Sequence, residues 1–326
     1  MRVPRLVSEI DRTLSEESVD RHNFPILDCH QHLFDAQRLH YAVFEHRNAG
    51  FEALVGDYRA LPRIYLPDDY ERDTADLRVV GTVWAEFISG DPLSEVRWVE
   101  EIAHATGRPN GMIALVDFLS PDLDRTLDGY DTMPHIRCVR QHMAWHPTNP
   151  LLRYAARPDL LLDTAWQRGL ISLQQRNLVC EIEIFSPQLY DLASVAAAYS
   201  DIQFVLPLMG WPIDLTSDGQ TAWKRALAAV GACPNVAVKI FGMECIFGIG
   251  WTVSQIRPWI LETIEIFSPD RCMFASHMPI CKLACSCKQL YEAYFEVIED
   301  FSASEKRQLL HDTAAATYRL WANDAK

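Results

Sequence analysis

The sequence predicts an α/β fold, a barrel in which eight strands alternate with helices, and three observations predict it. Eight short apolar runs recur along the chain. Most are followed by a stretch of helical character. The length, 326 residues, suits one elaborated barrel as well as two domains of about 150 residues.

The runs at 25–28, 79–84, 112–116, 136–139, 178–184, 202–206, 236–240 and 272–275 are rich in Val and Ile and have the length of buried strands. Between them, 93–106, 158–176, 187–199, 222–230 and 256–267 read as helices, and 290–301 with 304–320 form a helical tail. Ser186 before Pro187 is a start signal, Ser254 before Ile256 is another, and Ser302 stands at capping-box spacing from Glu305. The longest gap follows the first strand. Its segment 41–73 predicts a helix plus a loop, a lid-like insertion over the barrel mouth. No repeat, low-complexity tract or linker interrupts the pattern. The expectation is therefore one distorted (β/α)8 TIM-barrel domain over 1–326, with its core at 22–322.

Thirty Lys plus Arg against 44 Asp plus Glu give a formal net charge of −14, and no basic cluster of five occurs. A nucleic-acid binder needs cations to neutralise phosphates, so that class is excluded. Residues 1–20 have no apolar core of signal-peptide length, and no run of about 18 apolar residues predicts a membrane span. Nine Cys at irregular spacings fit reduced thiols in the cytoplasm. The expected partner is a small-molecule substrate, and a homo-oligomer is compatible with the sequence.

Chemistry in a barrel sits at the C-terminal ends of the strands. The first strand ends Asp28-Cys-His30-Gln-His32. Two His at i and i+2 point to one side of a strand, where both imidazoles can reach one divalent metal. Cys29 between them faces away.

Asp28-Cys-His30-Gln-His32 resembles the Asp-x-His-x-His signature of the amidohydrolase superfamily. The blocks Tyr65-Leu-Pro-Asp-Asp-Tyr70, Ile136-Arg-Cys-Val-Arg-Gln141, Pro187-Gln-Leu, Pro234-Asn-Val-Ala-Val-Lys239 and Pro269-Asp-Arg-Cys-Met-Phe-Ala-Ser276 are similar to blocks of its amidohydrolase-2 branch, which holds sugar lactonases and pyrone dicarboxylate lactonase. The resemblance spans roughly 24–322. It implies a hydrolase that sends water against a lactone or related cyclic ester or amide carbonyl. Decarboxylase-type lyases of the same superfamily and a catalytically degenerate, ligand-binding barrel are the alternatives.

Two departures from the branch pattern stand out. Leu208 occupies the place of the usual His after strand six, and His277 that of the usual Asp after strand eight. One reading rebuilds the metal site from His30, His32, His277 and Glu183 for Zn²⁺, Mn²⁺ or Fe²⁺. The other binds no metal and uses His277 as general base. Both stay open, with Glu183 a candidate aid to His277 in removing the proton of the attacking water.

Arg140 and His142 share one side of strand four. Arg140 resembles a clamp for a substrate carboxylate, or it is an interior ion-pair partner of Glu181 or Glu183. Lys239 interrupts an apolar strand and either serves the site or pairs with Glu181, Glu183 or Glu86. Glu86 ends strand two and is placed to orient a His or position substrate. Trp84, Trp145, Trp211, Trp251 and Tyr65 are candidates for an aromatic wall, with Trp211 chosen for substrate binding. Cys281, Cys285 and Cys287 lack a second paired half and read as buried thiols.

Overall fold

The computed structural model describes residues 23–321. Its main sheet holds eight parallel strands: β1 (Ile26–Gln31), β2 (Val79–Ala85), β3 (Gly111–Leu115), β4 (Ile136–His142), β5 (Val179–Glu183), β6 (Phe204–Leu206), β7 (Val236–Ile240) and β8 (Cys272–Phe274). They are hydrogen-bonded in sequence order. All eight expected strands are present, because strands buried on both faces read as continuous apolar runs.

The ring closes where β8 returns to β1. His277 N donates to His30 O at 2.8 Å, and His32 N to Met278 O at 2.7 Å. Asp28 buckles this seam. It accepts from Ser276 N at 2.9 Å, Ser276 Oγ at 2.5 Å and Tyr70 Oη at 2.7 Å, the last reaching in from the lid. Burial alone pushes the Asp28 pKa up, and these three donors are what make a carboxylate tolerable there.

Helices pack outside the strands. The helix Pro92–Thr106 starts at Asp91, whose carboxylate accepts from Ser94 N at 3.1 Å, and stops at Gly107 with φ +75°. Ser302 caps the tail as expected, accepting from Glu305 N at 3.3 Å. The two other start signals need correction. Ser254 lies inside Val253–Phe267, which begins at Thr252, and Ser186 opens a 3-10 turn ahead of Leu189–Ala198. A helix at Leu123–Asp131 was not expected. Its apolar face is only Leu123, Leu127 and Tyr130.

The insertion after β1 is more divided than one helix and a loop. It holds the helices Ala42–Glu45, Ala49–Val55 and Pro67–Asp73 and the antiparallel pair Phe34–Asp35 with Ile64–Tyr65. Phe34 stacks on Phe87 after β2 with ring centroids 4.5 Å apart, which pins the insertion to the mouth. The reading of residues 1–20 lies outside the described residues. Among those described, no helix is long and apolar enough to cross a membrane.

Candidate active site

β1 and the turn after β8 bring three imidazoles together. The ring centroids of His30, His32 and His277 stand 5.0, 5.4 and 5.3 Å apart, and one ligand-type nitrogen from each lies within 4.8 Å of the others. Burial holds His30 and His32 well below the ordinary imidazole pKa, so both are neutral near pH 7.

Each ring has one nitrogen fixed by a partner. His32 Nδ1 is 2.9 Å from the Ala85 carbonyl, which only accepts, so Nδ1 donates and Nε2 keeps its lone pair. His277 Nδ1 donates to Glu244 Oε1 at 2.5 Å, so in the neutral ring the lone pair is on Nε2. His30 differs. Lys239 Nζ donates to its Nδ1 at 2.9 Å, so the neutral ring carries its proton on Nε2. His30 also stacks on Phe241 with centroids 4.1 Å apart.

A charged cluster forms the opposite side of the same cavity. Arg140 Nε donates to Glu86 Oε1 at 2.6 Å, and Arg140 Nη1 lies 3.6 Å from Glu181 and 3.7 Å from Glu183. His142 bridges Glu183 Oε1 and Glu86 Oε1, each at 2.8 Å. Lys239 pairs with Glu181 Oε2 at 2.5 Å. Burial disfavours the His142 cation, but the carboxylates of Glu183 and Glu86 outweigh it and raise its pKa to about 9. Burial likewise pushes Glu86 up, and Arg140 and His142 more than reverse that, holding it well below the carboxylate range. Three acids face three bases, so the cluster compensates itself.

The rest of the cavity is apolar. Phe51 and Leu54 descend from the lid, and Phe87, Leu208, Trp211 and Phe241 complete the wall. Backbone strain concentrates here. Leu208, Met209 and Trp211 have φ of +55°, +54° and +38°, and His277 has +61°. Gly242, at φ +71°, lets Leu208 approach, since a Cβ there would meet Leu208 Cδ2 at 2.3 Å.

The structure gathers His30, His32, His277, Arg140, His142, Glu183 and Trp211 around one cavity. Several expected roles change. Glu183 is held by His142 and Arg140 and stands outside the group of ligand-type atoms formed by the three imidazoles. Lys239 and Glu86 are fully buried behind the wall, where they orient His30 and the Arg140–His142 pair. Arg140 forms interior ion pairs with Glu86, Glu181 and Glu183 and also lines the cavity. Of the aromatic candidates only Trp211 lines the cavity. Trp84 is buried against the Leu33 carbonyl, Trp145 lies under Arg153, Tyr65 bonds Asp73, and Trp251 belongs to a separate surface groove. Cys281 and Cys287 are buried and Cys285 half-buried, all three as free thiols. Sequence reasoning missed Glu244, whose signal is a lone acid in the otherwise apolar Met243–Phe247 helix.

Residues 27–320 match the family described as amidohydrolase. The uncharacterized protein y4mH of Sinorhizobium fredii is 31% identical over 300 residues, covering 90% of this chain and 98% of that protein. L-fucono-1,5-lactonase of Burkholderia multivorans is 29% identical over 172 residues, 48% of this chain and 57% of that enzyme. A crystal structure of an amidohydrolase from Burkholderia multivorans with bound zinc superposes with a TM-score of 0.76 at 23% identity, over 90% of this chain and 99% of that one.

Proposed function

The chain belongs to the amidohydrolase family, and from that premise we propose that it hydrolyses a lactone or related cyclic ester or amide at the mouth of the barrel. The observation that carries the reading is the His277–Glu244 pair, an oriented imidazole whose Nε2 lone pair faces the cavity. His277 Nε2 takes the proton of a water that attacks the ring carbonyl carbon. Glu244 stabilises the imidazolium so formed. When the ring C–O bond breaks, the leaving oxygen recovers that proton from His277.

The developing oxyanion needs a donor, and His30 Nε2–H supplies one, because Lys239 occupies Nδ1. His32 Nε2 adds an acceptor for the second hydrogen of the attacking water. The apolar wall of Phe51, Phe87, Trp211 and Phe241 suits a ring. Since Arg140 and His142 are matched by carboxylates, no spare cation lines the cavity among the described residues, which favours an uncharged lactone.

The donor set of His30, His32 and His277 also fits a divalent metal of the Zn²⁺, Mn²⁺ or Fe²⁺ type, being three buried imidazoles that converge. Such a metal would polarise the carbonyl oxygen and acidify the water. If His30 held the metal through Nε2, the ring proton would have to sit on Nδ1, where it would face the Lys239 ammonium. Metal content of protein purified without chelator, compared with that of a His30→Ala/His32→Ala variant, therefore chooses between the two forms of the site. Turnover itself is tested on a panel of sugar and aliphatic lactones in ¹⁸O-enriched water. The expected result is ring opening with label in the product carboxylate. Loss of CO₂, or no turnover of any lactone, contradicts the reading.

A further inference from the structure

A second group of ligand-type side chains converges at the far end of the barrel, away from the cavity. Glu100 and His104 lie one turn apart near the C-terminus of the helix Pro92–Thr106, so they share a face. His135 sits immediately before β4 begins at Ile136. The end of this helix and His135 are therefore both at the N-terminal end of the strands, while His30, His32 and His277 are at the C-terminal end.

The two imidazoles aim at one carboxylate oxygen. His135 Nδ1 is 2.8 Å and His104 Nε2 is 3.2 Å from Glu100 Oε1. The rings meet edge to face with centroids 5.3 Å apart, and all three ligand atoms lie within 4.8 Å of one another. Ligand atoms held roughly 2.0–2.1 Å from a tetrahedral ion stand about 3.3 Å apart, close to the two shorter spacings here. Small side-chain adjustments would seat such an ion.

Glu100 supplies the independent observation. It is only 8% exposed, and its Oε2 has no hydrogen-bond partner among the described residues. A buried carboxylate oxygen without a donor is costly, and a cation on the carboxylate relieves that cost. The frame is firm, since the His135 carbonyl accepts from Met112 N at 2.7 Å. His104 is exposed, which leaves an entry path and room for solvent ligands.

We propose that Glu100, His104 and His135 form a binding site for a divalent transition-metal ion of the Zn²⁺ class. Two imidazoles and one carboxylate suit that class better than Mg²⁺ or Ca²⁺, which prefer oxygen donors. The ion ties the end of one helix to the entry of the next strand but one, so its effect is on stability and not on turnover.

The test uses the full chain stripped with chelator and titrated with ZnCl2. A His30→Ala/His32→Ala background silences the mouth. In that background Zn²⁺ should still bind and raise Tm, and adding His104→Ala should weaken binding roughly tenfold or more and remove the Tm shift. Absence of Zn²⁺ binding in the background, or unchanged affinity after His104→Ala, overturns the site. Should the background not fold, histidine ¹⁵N NMR of the wild-type chain replaces it. Zn²⁺ should move the ring-nitrogen signals that His104→Ala and His135→Gln assign to this site, and unmoved signals overturn the proposal.

Discussion

The two sides of the cavity are built on opposite electrostatic plans. On the β1–β8 side, His30 and His32 are neutral, and His32 and His277 each keep an Nε2 lone pair toward the cavity. On the β2–β4–β5 side, Glu86, Glu183, Arg140 and His142 are bonded to one another. Groups with spare bonding capacity can exchange protons with a substrate, whereas groups that satisfy each other hold shape. On the proposed function the first side is the chemical one and the second the scaffold.

Removing one scaffold charge should have the largest effect. Arg140→Met leaves buried carboxylates unmatched and should cost about 3–5 kcal/mol of unfolding free energy, measured by urea titration. A loss within ~1 kcal/mol would mean that the cluster is not the compensated unit described. The next effect is on pH dependence. The folded His142 pKa, about 9, lies above its ordinary value of 6.5. Its contribution is therefore complete below about pH 6.5 and disappears as pH rises through about 9, on the order of 3 kcal/mol. His142→Gln should flatten the stability profile over that window. An identical profile in the variant would remove His142 from the scaffold.

Glu244→Gln tests the chemical side. It should lower kcat roughly 10²-fold with little change in Tm, because it removes only the support for a His277 imidazolium. A large fall in Tm with unchanged kcat would reassign Glu244 to structure. The smallest effect concerns the wall. Trp211→Ala should raise KM about tenfold, the scale of one aromatic contact, whereas Trp251→Ala in its separate groove should leave KM within about twofold. Equal changes would show that the cavity is not the substrate pocket.

The eight strands were legible because each holds a short, mostly apolar run broken by few polar residues, and the His-x-His motif because its geometry is local to one strand. The Leu123–Asp131 helix was obscured by its four acidic and basic positions and Gly129, which leave a narrow apolar stripe. Glu244 could not be read from spacing. Its contact with His277 depends on how the chain turns after β7, and no periodicity encodes that. The Lys239–His30 contact has the same character, since it joins residues 209 positions apart through the barrel interior. Glu183 illustrates the converse. Alternation placed it correctly toward the mouth, but its partner was decided by His142 on the adjacent strand.

The most direct measurement sets the two sides against each other on one lactone substrate. The account predicts that His277→Ala loses roughly 10³-fold in kcat, while His142→Gln, assayed at a pH where it remains folded, stays within about tenfold of wild type. A larger kcat loss for His142→Gln than for His277→Ala would contradict it.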